Sequence, residues 1–456
     1  MLKGEAGARY FDKNRHFLSA LLAMDLRSIF HIITLKDTDD IFIYNPKTGL
    51  YEGLGNKTLK EKIKFVLGNC YSEPHAKATI DDIKACKYTD RKDFTAPIQF
   101  IPVENGILDI SKNPVELIDY SEKFYFTKKL SVTYKPEAKC PNFLKFLSEI
   151  LPENKFRLQI QEMFGWCLWR KYSHQVAFML VGEGSNGKST LLAVLRFLLG
   201  NQNVTSISLQ DICGDRFASA DLYQKFANIA GETRTKKLEE TEIFKSLTDG
   251  LSFIRVQRKF GQPFEFGNYA KLIFAMNEVP PTKDRTNAFY RRWVIIFFIV
   301  KFGDNGLPKD NEMIEKITTP DELSGILNWS IEGLQRLNKQ GGFSEKMSDE
   351  ETENCYERLS NSIGTFLTEH IEETDNDEDC IAKDYLCSDL LYYCEKNRLP
   401  KPTSKKLAQE IKTHFENVVS VQRKVGKKER AHVWANCRYK DGSIANIDYA
   451  TWVEEQ

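Results

Sequence analysis

The hydrophobic pattern of the chain changes period at several points, and those changes divide it into elements. Val176 to Val181 is an unbroken apolar run of strand length, and Leu191, Val194, Leu195 and Leu198 then recur at helical spacing until Gly200. Phe226 to Glu232, which ends in its acid, Lys271 to Met276 and Val294 to Val300 are further strand-like runs. Strands alternating with helical segments predict a parallel sheet with flanking helices. Between Ala230 and Lys271, the segment Ile254 to Phe266 alternates apolar and polar positions on both sides of Lys259-Phe260-Gly261, which predicts a β-hairpin with those residues at its tip.

Upstream, short alternating runs are interrupted by turns. Ile41 to Tyr51 reads as a hairpin around Asn45-Pro46 and Gly49, and Val103 to Asp109 as a second turn between strands, so residues 1–151 form an α+β module. A helical stretch from Pro141 to Trp169 leads into the apolar strand at Val176. Downstream, Gly341-Gly342 and the acidic run Asp349 to Glu353 mark a boundary, which makes 152–340 the central domain and 346–456 a third unit. In that unit, helical segments near 361–371, 382–397 and 403–414 precede two β-rich runs, Val418 to Val425 and Ala431 to Tyr439, the outline of a winged helix. Glu372 to Asp379 reads as a solvated acidic loop, and Cys380, Cys387 and Cys394, spaced by seven, as one apolar helix face.

Composition narrows the classes. With 41% hydrophobic residues in 456, the chain has enough apolar content for ordinary cores. Lys plus Arg and Asp plus Glu number 64 each, so a polyanionic partner must be met by local segregation of charge. The ten cysteines include no C-x-x-C pair and the seven histidines no ligand-like spacing with them, which supports neither zinc nor a disulfide framework. No apolar stretch approaches membrane-spanning length, and the N-terminus lacks a signal-peptide pattern, so no membrane partner and a cytoplasmic location are expected. Met1 to Tyr10 resembles neither a targeting signal nor a domain start, and we expect the chain to be the C-terminal part of something longer.

The candidate chemistry begins directly after the first strand. Gly182, Glu183, Gly184, Ser185, Asn186, Gly187, Lys188, Ser189 and Thr190 fit the phosphate-binding pattern Gly-x4-Gly-Lys-Ser between strand and helix. Glycines let consecutive N–H groups face one anion, Lys188 supplies a cation, and Ser189 offers a hydroxyl to magnesium (Mg2+). Hydrolysis also requires a carboxylate and a group that senses the terminal phosphate. Glu232 ends the run that begins at Phe226, and Asn277 follows Lys271 to Met276. A strand that merely ends in a polar residue would look the same, but the shared order after the loop favours both. Lys259 and Phe260 pair a cation with an aromatic ring, as a single-strand binding loop needs, although a solvated hairpin with one incidental aromatic reads alike. Arg291 and Arg292 precede the strand beginning at Trp293 and are candidates for reaching a phosphate across a subunit boundary, whereas paired surface arginines are usually only solvated.

These elements, in this order, resemble the superfamily 3 helicases, most closely the primase-helicases of phages, plasmids and large DNA viruses. The resemblance rests on the loop, Arg216-Phe217 with Asp221-Leu222, the Ala-Gly-Glu232 strand, Phe244-Lys245 to Gly250, Asn277-Glu278-Val279-Pro280 and the arginine pair. Flanking segments at Asn105 to Asp109, Tyr134 to Pro141, Gln161 to Gly165 and Leu327 to Trp329 extend it over roughly residues 30–340. It implies an α/β, AAA+-like core that binds ATP and Mg2+ and forms a ring, usually a hexamer, moving 3′ to 5′ on single-stranded DNA at a fork. On that basis Lys188 and Ser189 meet phosphates and metal, and Glu232 is the Walker B carboxylate. Asn277 is the sensor, Lys259 and Phe260 track DNA, and Arg292, directly before its strand, is preferred over Arg291 as the finger. Gly231 replaces the first of the two adjacent acids many ATPases carry, so one carboxylate serves metal and water. No primase-like set of acids is visible in the first hundred residues, so a primase or polymerase domain, or other replication proteins, is expected as a partner. For a phage-encoded chain the compartment is the host cytoplasm.

From Arg398 to Arg430 ten residues are basic and only Glu410, Glu416 and Glu429 acidic. Lys405 and Lys406 on a recognition-type helix, with Lys427, Lys428 and Arg430 on a wing, are the expected DNA contacts of the third unit. Two other classes stay open: an ATP-regulated initiator that binds origins, and a small-molecule kinase. The length, the inserted hairpin and the arginine pair argue against the kinase.

Overall fold

The structure, a computed structural model, describes residues 6–440 except Leu54, Arg216, 232–235, Phe260, Asp304, Asn305, Leu307, Asp377 and 426–428. Strands buried on both faces must be covered on both sides, and they read as continuous apolar runs. Every residue of Ala177–Val181, Ala227–Ala230 and Lys271–Met276 is buried. They form a parallel five-stranded sheet in the order Trp293–Phe297, Ala177–Val181, Lys271–Met276, Ala227–Ala230, Val204–Thr205. The mixed α/β expectation with a parallel sheet holds. Side chains alternate between two apolar clusters: Phe178 and Leu180 enter one, Met179 and Val181 the other.

The first cluster lies beneath the helices Asn154–Leu168, Lys188–Leu199 and Pro320–Gln340. It also takes in Ile101, Val103 and Leu108, so the small sheet Phe100–Val103, Gly106–Asp109, Glu116–Ile118 shares the core of the central domain. The helical stretch expected from Pro141 to Trp169 is two helices, Pro141–Ile150 and Asn154–Leu168. Pro152 disfavours a helical conformation at Leu151, which is found at φ −131° and ψ 83°.

Two buried carboxylates tie this layer together. Glu162 is fully buried and accepts hydrogen bonds from Arg336 Nε at 2.8 Å, Gln340 Nε2 at 2.9 Å, and the Ser344 amide and hydroxyl at 2.8 and 2.5 Å. Glu322 accepts from the amides of Asn142 and Phe143, both at 3.1 Å, and thereby caps the helix Pro141–Ile150, whose own Cys140 offers no side-chain cap. The helices Asn154–Leu168 and Pro320–Gln340 touch at glycines: a Cβ on Gly165 would lie 2.2 Å from the Ser330 carbonyl oxygen, and one on Gly333 2.3 Å from that of Gln161.

The N-terminal residues form a second four-stranded sheet, Leu50–Glu52, Ile41–Asn45, Ile32–Leu35 and Tyr88–Thr89. Helices Ser19–Ile29, Gly55–Leu67 and Glu73–Cys86 pack with it in a cluster of their own.

The C-terminal residues cover the other face of the central sheet, where Tyr356, Leu359 and Ile363 join the second cluster. The acidic run expected at a boundary is the first turn of the helix Asp349–Ser360, started by a capping box between Ser348 and Glu351. Helix Ser362–His370 is followed by the strand Ile371–Glu373, which pairs with Cys437–Tyr439; Glu372 and Glu373 are therefore not in a loop. Cys380 lies on the strand Cys380–Ala382 and only Cys387 and Cys394 lie on the helix Lys383–Lys396, which corrects the single helix face expected for the three. Helix Ser404–His414 then precedes the hairpin Val419–Val425 and Glu429–Ala435.

Removing one partner of a buried ion pair leaves the other charge uncompensated. Glu162→Ala is expected to lower stability by about 3–5 kcal/mol in urea unfolding, more than Glu350→Ala on the exposed acidic turn, which should fall within about 0.5 kcal/mol of the parent.

Candidate functional site

In a parallel sheet the strands end at one edge, and ligands gather outside those ends. The strand Ala177–Val181 lies between Lys271–Met276 and Trp293–Phe297, and the ladder continues past it: the Gly182 amide donates to the Met276 carbonyl at 3.3 Å, and the Phe298 amide to that of Val181 at 2.8 Å. Gly182, Asn277 and Phe298 therefore leave the sheet side by side. The loop then turns at Ser185 (φ 58°) and Gly187 (φ 83°), a left-handed conformation that glycine adopts without strain, and enters the helix Lys188–Leu199.

A cleft of about 490 Å³ opens above this edge, lined by the loop from Gly184 to Thr190 together with Gly231, Asn277, Arg196 and Asp310. Lys188 is buried, and its Nζ donates to the carbonyls of Gly182 and Glu183, the latter at 3.1 Å, and to Asn277 Oδ1 at 3.4 Å. Two residues proposed independently from distant segments thus meet at one ammonium. Asn186 is also buried and anchors the loop by donating from Nδ2 to the Phe298 carbonyl at 3.2 Å. Ser189 and Thr190 stand in the first helical turn, Ser189 exposed toward the cleft. A helix N-terminus, an ammonium and a hydroxyl converging on one cleft are groups that hold phosphate oxygens and a hard divalent cation.

Several cleft residues escaped the sequence reading. Arg196, two turns along the loop helix, reaches Ser206 Oγ at 2.7 Å and the Ile229 carbonyl. Glu149 and Asp310 contribute carboxylates to the lining from outside the loop. The Lys301 ammonium beside Glu183 holds its carboxyl below the usual range, and Lys401, from the C-terminal unit, adds to the effect. The segment containing Arg398 and Lys401 flanks the loop's other side in a second cleft of about 230 Å³, which also touches Asn277.

The arginines are placed differently from expectation. Arg292 is buried, donating to Thr248 Oγ1 at 2.9 Å, to the Ala288 carbonyl and to the Lys245 carbonyl at 3.5 Å. Burial depresses its pKa, and the neighbouring Arg291 charge acts in the same direction. The position directly before a core strand, which had favoured Arg292, is what turns its side chain inward. Arg291 is half-buried and donates to Gln175 Oε1 at 2.7 Å, so of the two it is the one with access to solvent.

The hairpin forms as Phe253–Gln257 and Pro263–Gly267, with Ile254, Val256, Phe264 and Phe266 inward and Lys259 exposed near the tip. Lys405 and Lys406 are exposed on the helix Ser404–His414, and Lys406 Nζ stands 3.9 Å from Glu278, next to Asn277. Glu232, Phe260, Lys427 and Lys428 lie outside the described residues. Arg430 sits opposite Lys424 in the C-terminal hairpin, and its side chain is also outside the description.

Residues 11–152 match a family model described as D5 N terminal like, and residues 180–292, from the loop to Arg292, match a family described as one of unknown function (DUF5906). The chain is 24% identical over 340 residues to a protein of Acanthamoeba polyphaga mimivirus provisionally named a helicase, covering 68% of this chain and 34% of that one. It is 23% identical over 301 residues to a provisionally named primase of African swine fever virus, covering 60% and 31%. The chain is thus similar, at low identity, to proteins of large DNA viruses provisionally named helicases and primases. It spans about a third of the length of the viral relatives it matches. Among solved structures, the apo C-terminal region of NrS-1 is 12% identical, with a TM-score of 0.44 and coverage of 92% of this chain and 99% of that one. No helix among the described residues is long and apolar enough to cross a membrane.

One charged group near the arginines gives a pH dependence. Burial of Asp284 opposes ionisation, but hydrogen bonds from Lys245 at 2.8 Å, Thr241, and Thr286 Oγ1 at 2.6 Å outweigh it and hold the carboxyl well below its usual range. As pH falls the unfolded chain takes up this proton first, so the stabilisation is present at neutral pH and is lost progressively below about pH 4. Asp284→Asn is expected to flatten the acid limb of a stability-against-pH curve measured by urea unfolding; an unchanged limb would remove Asp284 from it.

Proposed function

We propose that the chain is an ATP-driven DNA translocase acting in DNA replication, with an AAA+-type core and a winged-helix-like C-terminal unit. The observation that carries this reading is the meeting of Lys188 with Asn277 at the edge of a parallel sheet, in a cleft that opens the helix Lys188–Leu199. In this reading the loop amides and Lys188 bind the β- and γ-phosphates of ATP, and Asn277 orients at the terminal phosphate or at water. Ser189 and Glu232 would hold magnesium, which neutralises phosphate charge when bound. Gly231, the residue before Glu232, lines the same cleft, which supports that assignment. The names of the viral relatives support a replication enzyme, and the hairpin with Lys259 exposed supports contact with single-stranded DNA. Ring assembly, a hexamer and 3′ to 5′ movement are part of the proposal. Its finger is Arg291, the more accessible of the pair.

Steady-state ATPase assays test the site. Lys188→Ala is expected to abolish turnover, and Glu232→Gln to keep ATP binding while lowering hydrolysis by ~10²–10⁴-fold, the range for removing a general base. Normal turnover by Glu232→Gln would sink the assignment of that carboxylate. Lys259→Ala is expected to weaken stimulation by single-stranded DNA and unwinding of forked duplexes with ATP affinity retained. Co-assembly of Arg291→Ala with Lys188→Ala subunits is expected to restore part of the activity, because one intact half-site from each completes a shared site.

A replication initiator is the second reading, favoured by the approach of the basic helix Ser404–His414 to Glu278 beside the site. A full chain that binds duplex DNA with sequence preference and separates no strands would establish it over the translocase.

A further inference from the structure

A second charged cleft, of about 260 Å³, lies away from the loop, between the N-terminal module and the root of the hairpin. Arg91, Lys92 and Lys128 line it from the N-terminal side, and Arg170 and Tyr223 from the central domain. Phe253 and Glu265 line it from the outward face of the hairpin. The walls are fixed to each other, since Arg91 donates to Tyr223 Oη at 2.6 Å while paired to Asp37 at 2.6 Å.

The charge here is one-sided in a chain that is neutral overall. Arg91 is balanced by Asp37, whereas among the described residues Arg170 donates to neutral carbonyls, those of Ala96 at 3.4 Å, Pro97 at 2.9 Å and Phe100 at 3.1 Å. Lys128 is half-buried with no carboxylate at ion-pair distance among the described residues, and Lys225 stands near enough to repel it. Burial lowers the Lys128 pKa, so a bound anion would relieve a charge held partly out of water. Glu265 is the one carboxylate in the lining.

Aromatic surface accompanies the charge. Phe253 is 64% exposed, and Leu251 beside it 86%. Phe253, Arg255 and Gln257 share the outward face of one hairpin strand, which rises about 13 Å from Phe253 to Gln257 toward the tip. A cationic track with a stacking platform is what a single-stranded nucleic acid requires.

We infer that this cleft binds the sugar-phosphate backbone of single-stranded DNA, with Lys92, Lys128 and Arg170 facing phosphates and Phe253 stacking on a base, on the path to or from the hairpin tip. The inference rests on the translocase reading and adds to it a DNA site on the N-terminal module.

Fluorescence anisotropy of a labelled oligothymidylate, titrated with the full chain and an ATP analogue over a range of salt, tests it. The Lys92→Glu/Lys128→Glu variant is expected to bind at least about tenfold more weakly and to lose about 1.4 from the slope of log affinity against log salt, the equivalent of two phosphate contacts on a single strand. Phe253→Ala is expected to weaken binding about tenfold with little change in slope. Nucleotide affinity should be unchanged in both. The milder Lys128→Gln, which guards against misfolding, should lose about 0.7 of slope. Parent affinity and slope in the charge variants, with binding still weakened by Lys259→Ala, would overturn the cleft and leave the translocase standing. Failure of the parent chain to bind the oligonucleotide would overturn both. Loss of self-association at unchanged DNA affinity would assign the cleft to a neighbouring subunit and overturn the inference.

Discussion

The arrangement of the site depends on the strand Ala177–Val181 being hydrogen-bonded on both sides by parallel partners. Gly182 reaches Met276 on one side and Phe298 reaches Val181 on the other. Parallel pairing fixes direction as well as neighbourhood, so three chain segments emerge at one edge and their next residues are forced together. Lys188 meets Asn277 for this reason and Asn186 meets Phe298 for the same one. A register change in either ladder would move these side chains to the other face or the other end of the sheet.

Such a sheet is held in place from behind. Glu162 and Glu322 each satisfy several donors in a layer that is otherwise apolar, and unpaired they would be costly. Asn228 does the same at the far edge, accepting from the Ile207 amide at 2.8 Å and donating to the Ile207 carbonyl at 2.9 Å, which fixes the chain beyond the edge strand Val204–Thr205. Lys271 is a stranger case. It is fully buried with its ammonium on the carbonyls of Trp169 and, at 2.8 Å, Tyr269, and burial depresses its pKa to about 7. These polar groups bind loops and helices to the sheet at defined positions, which apolar packing alone does not do.

What could be read in the sequence was local. The glycine-rich loop is contiguous, its flanking strand and helix have unmixed periods, and the hairpin alternates without a break. Asn277 was legible because it ends an apolar run. The burial of Arg292 could not be read because its partners Thr248 and Lys245 lie on the helix Glu242–Asp249, which only the fold brings near. Glu322 stands in the first turn of its own helix and caps another 180 residues away, a role no local pattern carries. The spacing of the three cysteines failed because a strand precedes the helix, and a seven-residue repeat has structural meaning only inside one helix. The acidic run at Asp349, taken as a boundary mark, begins a new helix, where acids favour the first turn because the dipole is positive.

On the proposed reading, the burial of Lys188 decides how the cleft would receive a phosphate. Its ammonium is already removed from water, and among the described residues it donates to three neutral oxygens, two of them from the loop itself. The desolvation cost of bringing this cation to an anion has therefore been met in folding, and exchange of a carbonyl for a charged oxygen is favourable because charge-assisted bonds are stronger. The exchange also releases Asn277 Oδ1, whose neighbour Glu278 faces Lys406, and it alters the loop carbonyl of Glu183, whose carboxylate faces Lys301 and Lys401. On that reading one link reaches the C-terminal unit through the exposed Glu278–Lys406 pair and the other through the Lys401 backbone and charge beside Glu183, and exposed pairs of this kind are individually weak. The C-terminal unit is itself attached to the sheet through the second apolar cluster, so these weak pairs adjust the contact beside the cleft and do not carry the attachment.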